Sequence, residues 1–99
     1  RNKASMHVIS QKRIWEAKER YKETASALDA WYRIAKASTF ESFAQLKAAF
    51  PSVDKVGDQY VFDVGGNKLR IIAKVEFRQG KIFIRQVLTH AQYSKVKLQ

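Results

Sequence analysis

The chain predicts a small α+β domain: two or three N-terminal helices packed on a small twisted, mainly antiparallel sheet of about four strands, with a short C-terminal helix. Three observations carry that expectation. Apolar residues recur at helical spacing up to Phe50, alternate at strand spacing from Tyr60 onward, and are punctuated by Pro51, Gly65-Gly66-Asn67 and Gln79-Gly80. Helices gathered ahead of a run of strands place the helices on one face of the sheet.

Met6 to Ser10 is short and rich in β-branched residues and reads as a first strand. From Gln11 to Glu23, Ile14, Trp15 and Tyr21 lie among charges, as in an amphipathic helix. Ala25 to Ala37 keeps the period through Leu28, Trp31, Ile34 and Ala35, as a second helix or an extension of the first. Ser38 and Glu41 have capping-box spacing ahead of a further short helix with Phe43, Leu46 and Phe50 on its apolar face, and Pro51 stops it. Trp15, Tyr21, Trp31, Phe43 and Phe50 are all expected in the core. Asp54 to Asp58 reads as a polar turn. Tyr60, Phe62 and Val64 then alternate as a strand, and Gly65-Gly66-Asn67 supplies the positive backbone angles of a tight hairpin. In the strand from Lys68 to Phe77, Leu69, Ile71, Ala73 and Val75 take one face, and Lys68, Arg70, Ile72 and Lys74 the other. A third strand runs from Lys81 to Leu88. Thr89 and Gln92 repeat the capping spacing, so His90 to Lys95 should form one or two helical turns.

The 99 residues suit one domain, placed at 6–99, with Arg1 to Ser5 read as an expression-tag remnant ahead of Met6. No cysteine is present, which removes disulfides and thiolate metal sites and agrees with a cytoplasmic setting. No apolar run approaches the roughly 20 residues of a membrane span, so no membrane partner is expected. Net charge is +10, from 19 Lys and Arg against 9 acids, and Arg78, Lys81, Arg85, Lys95 and Lys97 follow Phe77 without an acid among them. Such a charge attracts polyanions, nucleic acid being the commonest; the plainer readings are a solubilising surface or a surface for an acidic protein.

Arg70 carries a planar fork suited to phosphate, on a face expected to stay open with Lys68 and Lys74 beside it and Glu76 as the nearby acid. Arg85 either joins that cluster or pairs with Asp63 or Glu76. His90 can act as acid or base, or cap and pack. Tyr93, three residues on, shares its helical face and can stack on a base, lose a proton, or anchor the last turn. Asp54, Asp58, Asp63 and Glu76 form no recognisable carboxylate cluster, and two histidines without cysteine make no typical zinc site, so neither metal nor cofactor is expected.

The chain resembles the HigB family, the RelE-like mRNA interferases of type II toxin–antitoxin systems. The resemblance rests on His7-Val8-Ile9-Ser10, on Phe43 with Leu46-Lys47-Ala48-Ala49-Phe50-Pro51, on Val64-Gly65-Gly66-Asn67-Lys68-Leu69-Arg70, on Ile84-Arg85 and on Thr89-His90-Ala91-Gln92-Tyr93. It implies metal-independent cleavage of mRNA in the ribosomal A site by 2′-hydroxyl attack on the adjacent phosphate. It also implies a HigA-like helix-turn-helix antitoxin, which reaches operator DNA and co-represses the operon. Carried over by position, Arg70, His90 and Tyr93 are the catalytic set and Arg85 is a further match; Lys68, Lys74, Lys55 and Lys95 are expected to bind RNA beside Arg85. Some RelE relatives hold a lysine pair one strand earlier; here those places are Val61 and Asp63, so Lys68, Lys74 or Lys55 must supply that charge. A ParE-like gyrase poison on the same scaffold, or a basic nucleic-acid-binding module without chemistry, is the alternative.

Overall fold

The computed structural model describes residues 6–66 and 68–95; the tag remnant expected at 1–5 and Asn67 of the hairpin lie outside the described residues. The elements run β1 (His7–Ile9), α1 (Lys12–Arg20), a 3-10 turn (Lys22–Thr24), α2 (Ala25–Ala37), α3 (Phe43–Ala49), β2 (Asp54–Val56), β3 (Gln59–Val64), β4 (Leu69–Glu76), β5 (Lys81–Thr89) and α4 (His90–Lys95). They form a single five-stranded sheet in the order β1-β5-β4-β3-β2. Only β1 is parallel to its neighbour, β5; the other pairs are antiparallel.

The α+β reading holds, with one strand more than expected. The segment read as a polar turn is β2, which pairs with β3 from Asp54↔Val61 to Val56↔Gln59. The two long helices are separate, because Tyr21 leaves helical geometry (φ −120°, ψ 70°) and the Thr24 hydroxyl donates to the Tyr21 carbonyl. The cap of α3 also differs. Ser42, not Ser38, is the N-cap: its hydroxyl accepts from the Gln45 N–H, while the Gln45 side-chain oxygen accepts from the Glu41 N–H.

The core lies between the helices and one face of the sheet. Phe62 of β3 meets Trp31 of α2 at 5.2 Å between ring centroids and Phe50, beyond α3, at 5.1 Å; Trp31 and Phe50 close the triangle at 5.8 Å. Leu28, Leu46, Ile71, Ile82 and Ile84 fill the space around these rings. Trp15 is not part of the core. It is 40% exposed and packs edge-on against Tyr32 with the Lys18 ammonium over its ring. Helix α1 turns only a narrow stripe inward, Ile14 and Ala17, and the position next to Ile14 faces solvent.

The β3–β4 turn shows what glycine contributes. Gly65 (φ +69°) and Gly66 (φ +61°) both sit in the left-handed region, but a Cβ on Gly65 would also meet Thr24 Cγ2 at 3.0 Å, whereas one on Gly66 would meet nothing within 4 Å. Gly66→Ala is therefore expected to cost about 1–2 kcal/mol from backbone strain alone, and Gly65→Ala measurably more. Paired urea melts check this; equal losses would mean that the turn does not press on Thr24.

Candidate active site

The register of the β3–β4 hairpin places the first pair of functional side chains. Counting outward from the turn, Val64 faces Leu69 and Asp63 faces Arg70. Directly opposed residues share a face, so Asp63 and Arg70 lie together on the side away from the aromatic core, where Leu88 of β5 is Arg70's other cross-strand neighbour. Asp63 Oδ1 is 3.1 Å from Arg70 Nε.

The C-terminal segment supplies the rest. The capping box expected at Thr89 and Gln92 is present and reciprocal: the Thr89 N–H donates to Gln92 Oε1 (3.0 Å) and the Gln92 N–H to Thr89 Oγ1 (3.1 Å). The His90 N–H donates to the Lys68 carbonyl (3.0 Å), which ties the start of α4 to the start of β4. So anchored, α4 lies over Arg70. Arg70 Nη2 is 3.0 Å from His90 Nδ1, its guanidinium carbon is 5.6 Å from the Tyr93 ring centroid, and Nη1 donates to the Leu69 carbonyl at 3.4 Å.

Arg70, His90 and Tyr93 thus converge, but not on an open face. Arg70 is only 8% exposed. Burial of a guanidinium is sustained by a carboxylate and good hydrogen bonds, and Asp63 is the carboxylate that the reading of the strand face passed over. Its signal was the hairpin arithmetic, since a four-residue turn over 65–68 pairs position 63 with 70. Glu76 is not Arg70's partner; it lies 3.7 Å from Lys74.

The contact also sets the state of the imidazole. Guanidinium donates and never accepts, so Nδ1 of His90 is the acceptor and the neutral ring carries its hydrogen on Nε2. His90 therefore has a lone pair aimed at Arg70. Tyr60, in the core, is a poorer proton carrier: burial, and secondarily the Glu76 carboxylate, raise its phenol above the usual tyrosine value.

The remaining cations are dispersed. Lys68 is exposed and 3.9 Å from Glu23. Arg85 is exposed at a bulge in β5, where the register steps between Ile72 and Ala73, and it makes no ion pair among the described residues. Lys95 ends α4 and is exposed. Lys55 is not near the cluster: it aligns with Tyr60 and Ala73, residues of the helix-side face, and its ammonium lies 5.9 Å from the Tyr60 ring centroid. Among the described residues no group of three or more His, Cys, Asp or Glu side chains could hold a metal, and no helix is long and apolar enough to cross a membrane.

Comparison with known proteins settles the family. The sequence model of HigB_toxin, described as the RelE-like toxic component of a toxin–antitoxin system, matches residues 24–96. The chain belongs to the HigB toxin family. It is 41% identical over 91 residues to the mRNA interferase toxin HigB of Escherichia coli K12, covering 89% of this chain and 88% of that one. It is 36% identical over 94 residues to the mRNA interferase HigB of E. coli O6:H1, covering 92% and 91%. The Shigella flexneri mRNA interferase HigB matches at 41% over 91 residues, covering 89% of this chain and 88% of that one. As a HigB-family toxin, the protein has an antitoxin as its counterpart. The matched segment contains the β3–β4 hairpin and all of α4, so Asp63, Arg70, His90 and Tyr93 all fall within it.

Proposed function

We propose that this HigB-family toxin is a metal-independent endoribonuclease that cuts mRNA in the ribosomal A site, with Arg70, His90 and Tyr93 as its catalytic residues. The observation that carries the reading is the convergence of a guanidinium, an imidazole and a phenol, with Nη2 3.0 Å from Nδ1 and the Tyr93 ring at 5.6 Å. The names of the E. coli and Shigella relatives support the substrate.

The scissile phosphate takes the place of His90 Nδ1 as the partner of Arg70 Nη2. That exchange frees the Nδ1 lone pair, which accepts the proton of the 2′-hydroxyl. The 2′-oxygen bonds to phosphorus, and the 5′-oxygen leaves with a proton from the Tyr93 phenol. Arg70 offsets the charge of the pentacoordinate transition state, aided at longer range by Lys68 and Arg85. The products are a 2′,3′-cyclic phosphate and a free 5′-hydroxyl. The counterpart is a HigA-like helix-turn-helix antitoxin, through which the pair reaches operator DNA.

Induction in cells followed by primer extension on mRNA tests the reading. Discrete cuts with 5′-hydroxyl ends are expected for the wild type and strongly reduced cutting for His90→Ala. Intact mRNA with broken or trapped DNA would instead assign the scaffold to gyrase poisoning.

A further inference from the structure

We propose that the RNA reaches Arg70 along a cationic trough between α1 and the free edge of β5, with Arg13 and Arg20 of α1 as phosphate ligands in addition to Arg85. The inference rests on the endoribonuclease reading and adds to it a path for the substrate and two residues that the site had not included.

The trough follows from the shortness of β1. That strand pairs with β5 only at Lys81, Ile82 and Phe83. Beyond Phe83 the outer edge of β5 has no strand beside it, and α1 packs alongside instead. Arg13, Ala17 and Arg20 follow one another at i, i+4 and i+7, so they form one stripe of α1. The stripe walls a groove of about 480 Å³ whose other lining includes Tyr21, Leu88 and Gln92.

Two further grooves follow it along β5, each sharing lining residues with the one before. Arg13 also lines a second, of about 440 Å³, together with Phe83 and Arg85. Phe83 and Arg85 line a third, of about 330 Å³, which ends at Lys74 and Glu76. The near end adjoins the candidate active site, since Leu88 is the cross-strand neighbour of Arg70 and Gln92 lies between His90 and Tyr93 on α4.

Charge and shape both favour single-stranded RNA. Lys18, Lys68, Arg70 and Lys74 each have a carboxylate beside them. Arg13, Arg20 and Arg85 are exposed and make no ion pair among the described residues. Glu16 on the first wall and Glu76 at the far end are the acids of the trough, against four cations. The half-buried rings of Tyr21 and Phe83 line the same grooves as these guanidiniums, a combination of cations and aromatic surfaces that holds single strands without reading their sequence. An acidic antitoxin segment would answer the charge but has no need of the aromatic faces or of a path to Arg70.

The test is binding of a 2′-O-methyl oligoribonucleotide, which has no nucleophile and cannot be cut, measured by fluorescence anisotropy across a salt series. Arg13→Ala/Arg20→Ala should weaken binding about tenfold at 0.1 M salt and lower the slope of log affinity against log salt by about 1.4, the loss of two single-strand phosphate contacts. Arg33→Ala, an exposed arginine of α2 outside the trough, controls for net charge and should change affinity less than about twofold. Unchanged affinity and slope in the double variant would overturn the proposal, and so would equal loss in Arg33→Ala. Loss of antitoxin binding with RNA binding intact would also overturn it, by assigning the trough to the antitoxin. Cleavage is read separately, so intact mRNA after induction of the wild type would remove the endoribonuclease reading without altering the binding result.

Discussion

Arg70→Ala is expected to lose RNA cleavage by roughly 10²–10³-fold, the usual cost of removing one preorganised charge-stabilising donor, while folding and antitoxin binding persist. The guanidinium holds several partners at once, among them Asp63 at 3.1 Å, His90 at 3.0 Å and the Tyr93 ring at 5.6 Å. Its removal takes away the group proposed to meet the phosphate, together with the contact that fixes the His90 tautomer. Stability should suffer less than activity. Asp63, left alone, is 36% exposed and stays solvated, and α4 keeps both its capping box and the His90–Lys68 backbone bond. Arg70→Lys separates charge from shape. A lysine keeps the positive charge but lacks the fork that spans Asp63 and His90, so only part of the rate should return. Single-turnover cleavage measured beside thermal melts decides the matter, and wild-type rates in Arg70→Ala would end the assignment.

The second large effect is structural. Phe62→Ala should cost about 3–5 kcal/mol, a large share of the 5–15 kcal/mol typical of a whole domain. At about 4–8 °C per kcal/mol for a chain of this size, the melting temperature falls by roughly 12–40 °C. Phe62 is 1% exposed at the middle of β3 and touches both Trp31 and Phe50, so one ring joins α2 and the end of α3 to the sheet. Truncation leaves a cavity between groups held by different elements, which cannot collapse without moving a helix. Phe62→Leu fills part of that space and should recover much of the loss. Urea denaturation with an unchanged m-value would confirm a native-state packing effect, and a loss below 1 kcal/mol would show that the three rings are not the hub.

Features set by neighbours in sequence were legible before any coordinates. The bounds of α2 follow from its apolar period, the β3–β4 turn from adjacent glycines, and the start of α4 from Thr89 and Gln92, because each is decided within a few residues. Two local signals misled for equally physical reasons. Ser38 with Glu41 has the same spacing as Ser42 with Gln45, and the cap goes to the latter, after Phe40 is buried in the core and before α3 begins. The strand β2 is three residues long and largely polar, so only its pairing with β3 reveals it.

The candidate site was legible in kind but not in surroundings. Alternation placed Arg70 opposite Leu69 and Ile71, and helical spacing placed His90 beside Tyr93. Neither could say that α4 folds over that arginine, or that Asp63 meets it from the next strand.

Charge, the succession of helices before the long strands, the glycine turn of the β3–β4 hairpin and the residue types available for phosphate chemistry were determined by the amino-acid order alone. The burial of Arg70, the state of the His90 ring and the trough beside β5 were decided only when strands and helices distant in sequence took up their register. Local propensity acts over a few residues, whereas those three features depend on which side chains meet across the sheet.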